Sequence, residues 1–178
     1  MKIGKYITYL WTWPFDVFVW LVWVLPFRAL WGENLRWEEG SLVFNLTEDS
    51  WPSRTWYKDW LGTSICHAIM YSHNTPQDQI PPHRIVVHEQ HHVKWFEGIV
   101  LSALVLALVV LGVLGAAGLW TYALVCGFLI YSLSYPLQFL GNFFVAWLLT
   151  GRPYRDSFHE QAAYAVDFKY QRTGKRDT

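Results

Sequence analysis

Arg84-Ile-Val-Val-His-Glu-Gln-His-His-Val-Lys-Trp95 decides how this chain is read, because it joins a chemical motif to the start of a long apolar helix. His88-Glu89-Gln90-His91-His92 satisfies the pattern H-E-x-x-H. Residues four apart share one face of a helix, so His88 and His92 can each aim an imidazole nitrogen at one metal ion. Glu89, one position on, can address a water beside that ion. Zinc held by two histidines acidifies its water and polarises a carbonyl, which makes Zn2+ the expected cofactor and Glu89 the expected general base.

Working outward, no Asp, Glu, Lys, Arg or His occurs between Glu97 and Arg152. That run is long enough for two bilayer crossings of about 20 residues each with a turn between them. At 53% hydrophobic, 19% aromatic and 16% charged over 178 residues, the composition is that of a single membrane domain. The expected fold is therefore a mainly α membrane protein in which a long metal-site helix over 82–114 continues into a transmembrane helical hairpin. Pro82 suits the first turn of that helix, where its missing N–H costs nothing. Gly112, Gly115 and Gly118 make the bend, a return helix runs over 120–149 with an interruption at Pro136, and a C-terminal helix covers 154–172. Gln138 and Asn142, four apart, are expected to face a neighbouring helix and hydrogen-bond there.

Before the motif, residues 6–31 form a Trp-rich hydrophobic anchor that is retained rather than cleaved, since no small-residue cleavage site follows it. Pro14 predicts a break and Pro26 a kink. Whether this anchor spans the bilayer or lies in its interface is open at this stage. Residues 32–81 read as a small β-containing juxtamembrane segment with a hairpin turning at Gly40. A strand over Thr63–Tyr71 would put Ile65, His67, Ile69 and Tyr71 on one face, with an edge available to an extended peptide. Zero net charge without a basic cluster argues against nucleic acid as a partner, and Cys66 and Cys126 read as free thiols.

The first crossing, about 33 Å from His92 to Leu114, is matched by the return. The chain is thus expected back at the membrane face of the histidines, where it delivers Tyr154-Arg-Asp-Ser-Phe-His-Glu-Gln-Ala-Ala-Tyr164. Zinc hydrolases with two histidines complete their site with a carboxylate and leave a position for water. Glu160 is the first candidate for this third ligand, and His159 is the alternative. Tyr164, Tyr154, His91 and His159 are the candidate oxyanion donors.

His88-Glu89-x-x-His92 followed by Tyr154-Arg-x-x-Phe158-x-Glu160-x-x-Ala163-Tyr164 resembles the small bacterial and phage integral-membrane metallopeptidases of the H-E-x-x-H type, with a ligand set similar to the gluzincins. The resemblance covers residues 84–170. It implies His88, His92 and Glu160 as ligands and Glu89 as base. Many gluzincins place an acid four residues after the third ligand, where this chain has Tyr164, so Asp156 or Asp167 is the candidate to orient a ligand histidine.

Two other classes compete for the same residues. His88, His91 and His92 also read as H-x-x-H-H, similar to one histidine box of the membrane di-iron desaturases and hydroxylases. The remaining His67, His73, His83 and His159 supply no second box. A non-catalytic membrane or assembly protein with a vestigial site is the third possibility. All Lys and Arg except Lys2 and Lys5 fall on the side of the histidines, so that side is expected to be cytoplasmic, in a bacterial inner membrane. The expected partners are the lipid bilayer and a peptide or membrane-protein substrate. Oligomeric state is not legible.

Overall fold

The structure, a computed structural model, describes residues 6–55, 61–72, 82–152 and 154–173, with side chains at all of these except 82–85 and 167–173. The chain forms two compact units, Met1–Lys94 with Ala162–Thr178, and Trp95–Gln161.

In the first unit, helix α1 runs over Tyr9–Trp31. Pro14 does not break it. Near Pro26 the helix passes through a π turn, Trp20–Val24, in which the Leu25 N–H bonds the Trp20 carbonyl. This wider turn gives the proline ring room against the carbonyl four residues back, so the expected kink is taken up as one π turn. Strand β1 (Gly32–Glu38) turns at Glu39 and Gly40, both at positive φ (53° and 85°), into antiparallel β2 (Ser41–Leu46). Two left-handed residues make the turn whose twist matches a hairpin. A short helix α2 (Trp51–Arg54) follows, its first turn capped by the Ser50 hydroxyl, which accepts from the Ser53 N–H.

The strand expected over Thr63–Tyr71 is instead a tight hairpin, β3 (Gly62–Ile65) and β4 (Ala68–Tyr71), turning at Cys66 (φ 53°) and His67. The local strand preference loses to a long-range polar bond, because Asp16 of α1 accepts from the His67 backbone N–H at 3.1 Å. β4 also pairs in parallel with β2, giving one sheet of order β1-β2-β4-β3. Val43 and Ile69 on this sheet close a core with Val86 and Val93 of helix α3 (Pro82–Ala116).

In the second unit, the remainder of α3 and helix α4 (Trp120–Thr150) make a hairpin. Its bend is Gly118 at φ 77°, with the Leu119 N–H reaching back to the Leu114 carbonyl. Ala103, Ala107 and Ala123 are buried, and a Cβ on Gly127 would stand 3.6 Å from the Ala107 carbonyl oxygen, so small residues let the backbones approach closely. α4 passes Pro136 without a break. Ser134, two residues earlier, donates its hydroxyl to the Tyr131 carbonyl. Helix α5 spans Phe158–Thr173.

The chain is thus mainly α with a small sheet, and α1, α3 (from Val86) and α4 are each long and apolar enough to cross a membrane. α3 has 35 residues, or about 52 Å, well beyond the roughly 30 Å of a hydrocarbon core. The excess is about the length of its first turns, which carry the histidines.

Candidate metal centre

At about 100° per residue, Val86 and Val93 define the face of α3 that packs on the sheet, and His88 and His92 fall on nearly the opposite face. Glu89 lies between the two, which is why it is buried while the histidines are half-buried. Gln90, on the sheet side, donates to the Glu38 carbonyl at 3.3 Å and fixes the rotation of this turn against the end of β1.

α5 begins with Ser157-Phe-His-Glu160, the S-x-x-E pattern of a helix capping box. The Ser157 hydroxyl accepts from the Glu160 N–H at 3.4 Å. In a capping box the glutamate carboxylate would reach back to the serine N–H, but that N–H is already given to the Tyr154 carbonyl at 3.2 Å. The Glu160 carboxylate is thereby released from capping, and it sits buried in the first helical turn, where the helix dipole favours its charge. One turn further on, Tyr164 places its ring 5.1 Å from the imidazole of His88.

His88, His92 and Glu160 come together: one potential ligand atom from each lies within 4.8 Å of the others. Ligand atoms about a tetrahedral zinc are about 3.4 Å apart, so binding the ion would draw these atoms closer together. Two imidazoles and one carboxylate, with a buried glutamate next in sequence to the first histidine, fit a zinc site that keeps a position for water.

The other expected residues are placed as follows. His91 is half-buried on α3 and is not in this group. His159, the alternative third ligand, is engaged elsewhere: its Nε2 lies 3.0 Å from Gln138 Oε1 and 2.7 Å from Asn142 Nδ2, and Trp95 meets its ring edge-on at 4.8 Å. One nitrogen cannot donate and accept at once. A proton on Nε2 serves Gln138 and requires Asn142 to present its carbonyl. The two amides thus face a neighbouring helix, as their spacing predicted, and what they hold is the residue next to Glu160. Tyr154 stacks on Phe143 at 5.9 Å, Asp156 is half-buried in the turn before α5, and the side chain of Asp167 lies outside the described residues, as do those of His73 and His83.

A second polar cluster went unseen in the sequence. The Asp16 carboxylate takes the His67 backbone N–H and lies 3.0 Å from His67 Nδ1, while Tyr9 stacks on the imidazole at 4.3 Å. The only sequence signal was a lone acid inside an apolar segment.

Comparison with protein-family models, with curated proteins and with solved structures found no match.

Proposed function

We propose that this chain is a membrane-embedded zinc metallopeptidase that hydrolyses a peptide bond near the membrane interface. What carries the reading is the gathering of His88, His92 and Glu160 within 4.8 Å, with Glu89 buried beside them. His88, His92 and Glu160 would hold the ion, which would supply Lewis acidity and bring the pKa of a bound water toward neutrality. Glu89 takes the proton of the attacking water and returns it to the leaving amine. Tyr164, whose ring lies beside His88, is the candidate donor to the developing oxyanion. The substrate is a peptide or the juxtamembrane part of a membrane protein. The excess of Lys and Arg puts the site on the cytoplasmic face, in a bacterial inner membrane by the resemblance noted above.

The test is metal content per chain of the detergent-purified protein. One zinc is expected in the wild type and in His91→Ala, and none in Glu160→Ala. Glu89→Gln keeps the metal and lowers turnover of a peptide substrate by about 10²–10⁴-fold. Two irons sensitive to His91→Ala would replace the peptidase with an oxidase. Absence of metal from every form would leave a non-catalytic membrane protein.

A further inference from the structure

α1 has the composition of a membrane span, yet its packing belongs to a different kind of element. Its inward face buries Thr12, Asp16, Val19 and Val24. Its outward face shows Leu10, Trp13, Phe18, Leu21 and Leu25, each more than half exposed. A helix that buries its acid and exposes an apolar face, with Arg28 exposed near one end, is built to meet lipid on one side and protein on the other.

The protein on the inner side is the sheet, and it accompanies α1 from end to end. At the start of the helix, the Tyr9 hydroxyl donates to the Gly40 carbonyl at 2.9 Å, at the β1–β2 turn. In the middle, Asp16 holds the β3–β4 turn through His67, and Trp20 meets Trp37 of β1 at 5.9 Å. At the far end, the Thr47 N–H donates to the Trp31 carbonyl at 2.7 Å, and a Cβ on Gly32 would stand 2.7 Å from Arg28 Cα. β1 therefore returns beside α1, and its turn at Gly40 arrives back at Tyr9.

That sheet is open. Among the described residues β1 and β3 are the edge strands, and β1 carries Glu33, Arg36 and Glu38, with Arg36 Nε donating to Glu38 at 3.2 Å. Open edges and charged strands do not enter bilayer hydrocarbon, where every backbone group must find a partner within the protein. A helix fastened along its whole length to such a sheet shares the depth of the sheet.

We propose that α1 does not cross the bilayer but lies in the plane of its interface, with the Leu10–Leu25 face seated at the boundary between headgroups and acyl chains. Lipid is the occupant because the exposed face is mostly apolar, with Trp13 on it and Arg28 exposed near its end, as interfacial helices are, and because α3 and α4 have the length and hydropathy to place this chain in a bilayer. The chain then crosses with α3 and α4 alone among the described helices. Both termini fall on one side, and all 14 Lys and Arg of the sequence lie on the side of the histidines.

Nitroxide labels at Leu10→Cys, Phe18→Cys and Leu25→Cys, singly in the full chain with Cys66→Ala and Cys126→Ala, in phosphatidylcholine–phosphatidylglycerol vesicles, read the depth directly. All three are expected at one shallow depth, about 5–10 Å below the phosphates. A profile deepest at Phe18 and shallow at both ends would overturn the proposal in favour of a span. Water-like accessibility, or burial insensitive to lipid, at all three would overturn it in favour of a face that is solvated or covered by protein. Protease access to tags at the two termini in sealed vesicles checks the same point without touching the helix: same-side access is expected, and opposite-side access overturns it.

Discussion

Glu89 and Glu160 are both buried, and each is positioned by its own helix. Glu160 escapes its capping duty because Tyr154 has already taken the Ser157 N–H. His159, held by Gln138 and Asn142, fixes the backbone one residue before it. Outer-shell partners of metal ligands are worth about 10–100-fold in metal affinity. If Glu160 holds zinc as proposed, Gln138→Leu with Asn142→Leu is expected to weaken zinc binding by less than that factor in chelator competition, since these amides reach the ligand only through its neighbour His159, while the Gln138→Glu variant keeps an acceptor and loses less. Cys66 is a different case. Its burial first, and the Asp16 carboxylate second, push the thiol up from an ordinary value of 9.0. A thiol whose pKa is raised by folding stabilises the fold below the unfolded value, and that stability is lost as pH rises above it. Thermal stability of the wild type should fall above about pH 9 more steeply than that of Cys66→Ala, and maleimide should reach Cys66 only after unfolding. That His88 and His92 share one helical face with Glu89 beside them was legible because H-E-x-x-H is local. The Asp16–His67 bond was not, since its partners stand 51 positions apart and neither belongs to a motif.

The long helices were legible to within a few residues, because uncharged runs and proline or glycine punctuation are read directly from the chain. Two proline interruptions failed to appear at Pro14 and Pro136, since one lost backbone bond is small beside the packing and side-chain bonds of the surrounding helix. The β3–β4 hairpin was missed for a related reason. Cys66 carries no turn signal, and the turn it opens is tied at the next residue, His67, by the bond to Asp16. Removing that carboxylate leaves a buried N–H without its acceptor, at about 1–3 kcal/mol. Asp16→Leu should lower the unfolding temperature accordingly, and Asp16→Leu with His67→Leu should recover only the imidazole's share, because the backbone N–H stays orphaned. Glycines report on element packing as well. A Cβ at Gly32 meets Arg28 Cα at 2.7 Å, which is backbone and cannot yield cheaply, whereas at Gly127 the nearest atom is at 3.6 Å. Gly32→Ala should destabilise by about 1–3 kcal/mol and Gly127→Ala by much less, as measured by thermal unfolding in detergent.

At the scale of the molecule, the fold class was legible in composition alone, whereas the standing of the first hydrophobic segment was not. Hydropathy treats residues 9–31 like the other two long helices, and only the course of the sheet along α1 distinguishes them. A C-terminal reporter should be active in the cytoplasm and silent outside it if the surplus of Lys and Arg sets orientation. The bond between Asp16 and His67 also bears on how the protein is made. Translation at about 5–20 residues per second leaves roughly 3–10 s between the emergence of the acid and that of its histidine, 51 positions later. During that interval α1 carries a carboxylate with no partner. In the depth of a bilayer such a wait would cost about 2.5–3.5 kcal/mol, whereas at the water boundary the acid stays hydrated until the β3–β4 turn arrives. The order of synthesis and the resting place of the first helix thus impose one requirement on the nascent chain: the segment made first must wait where water can still reach it.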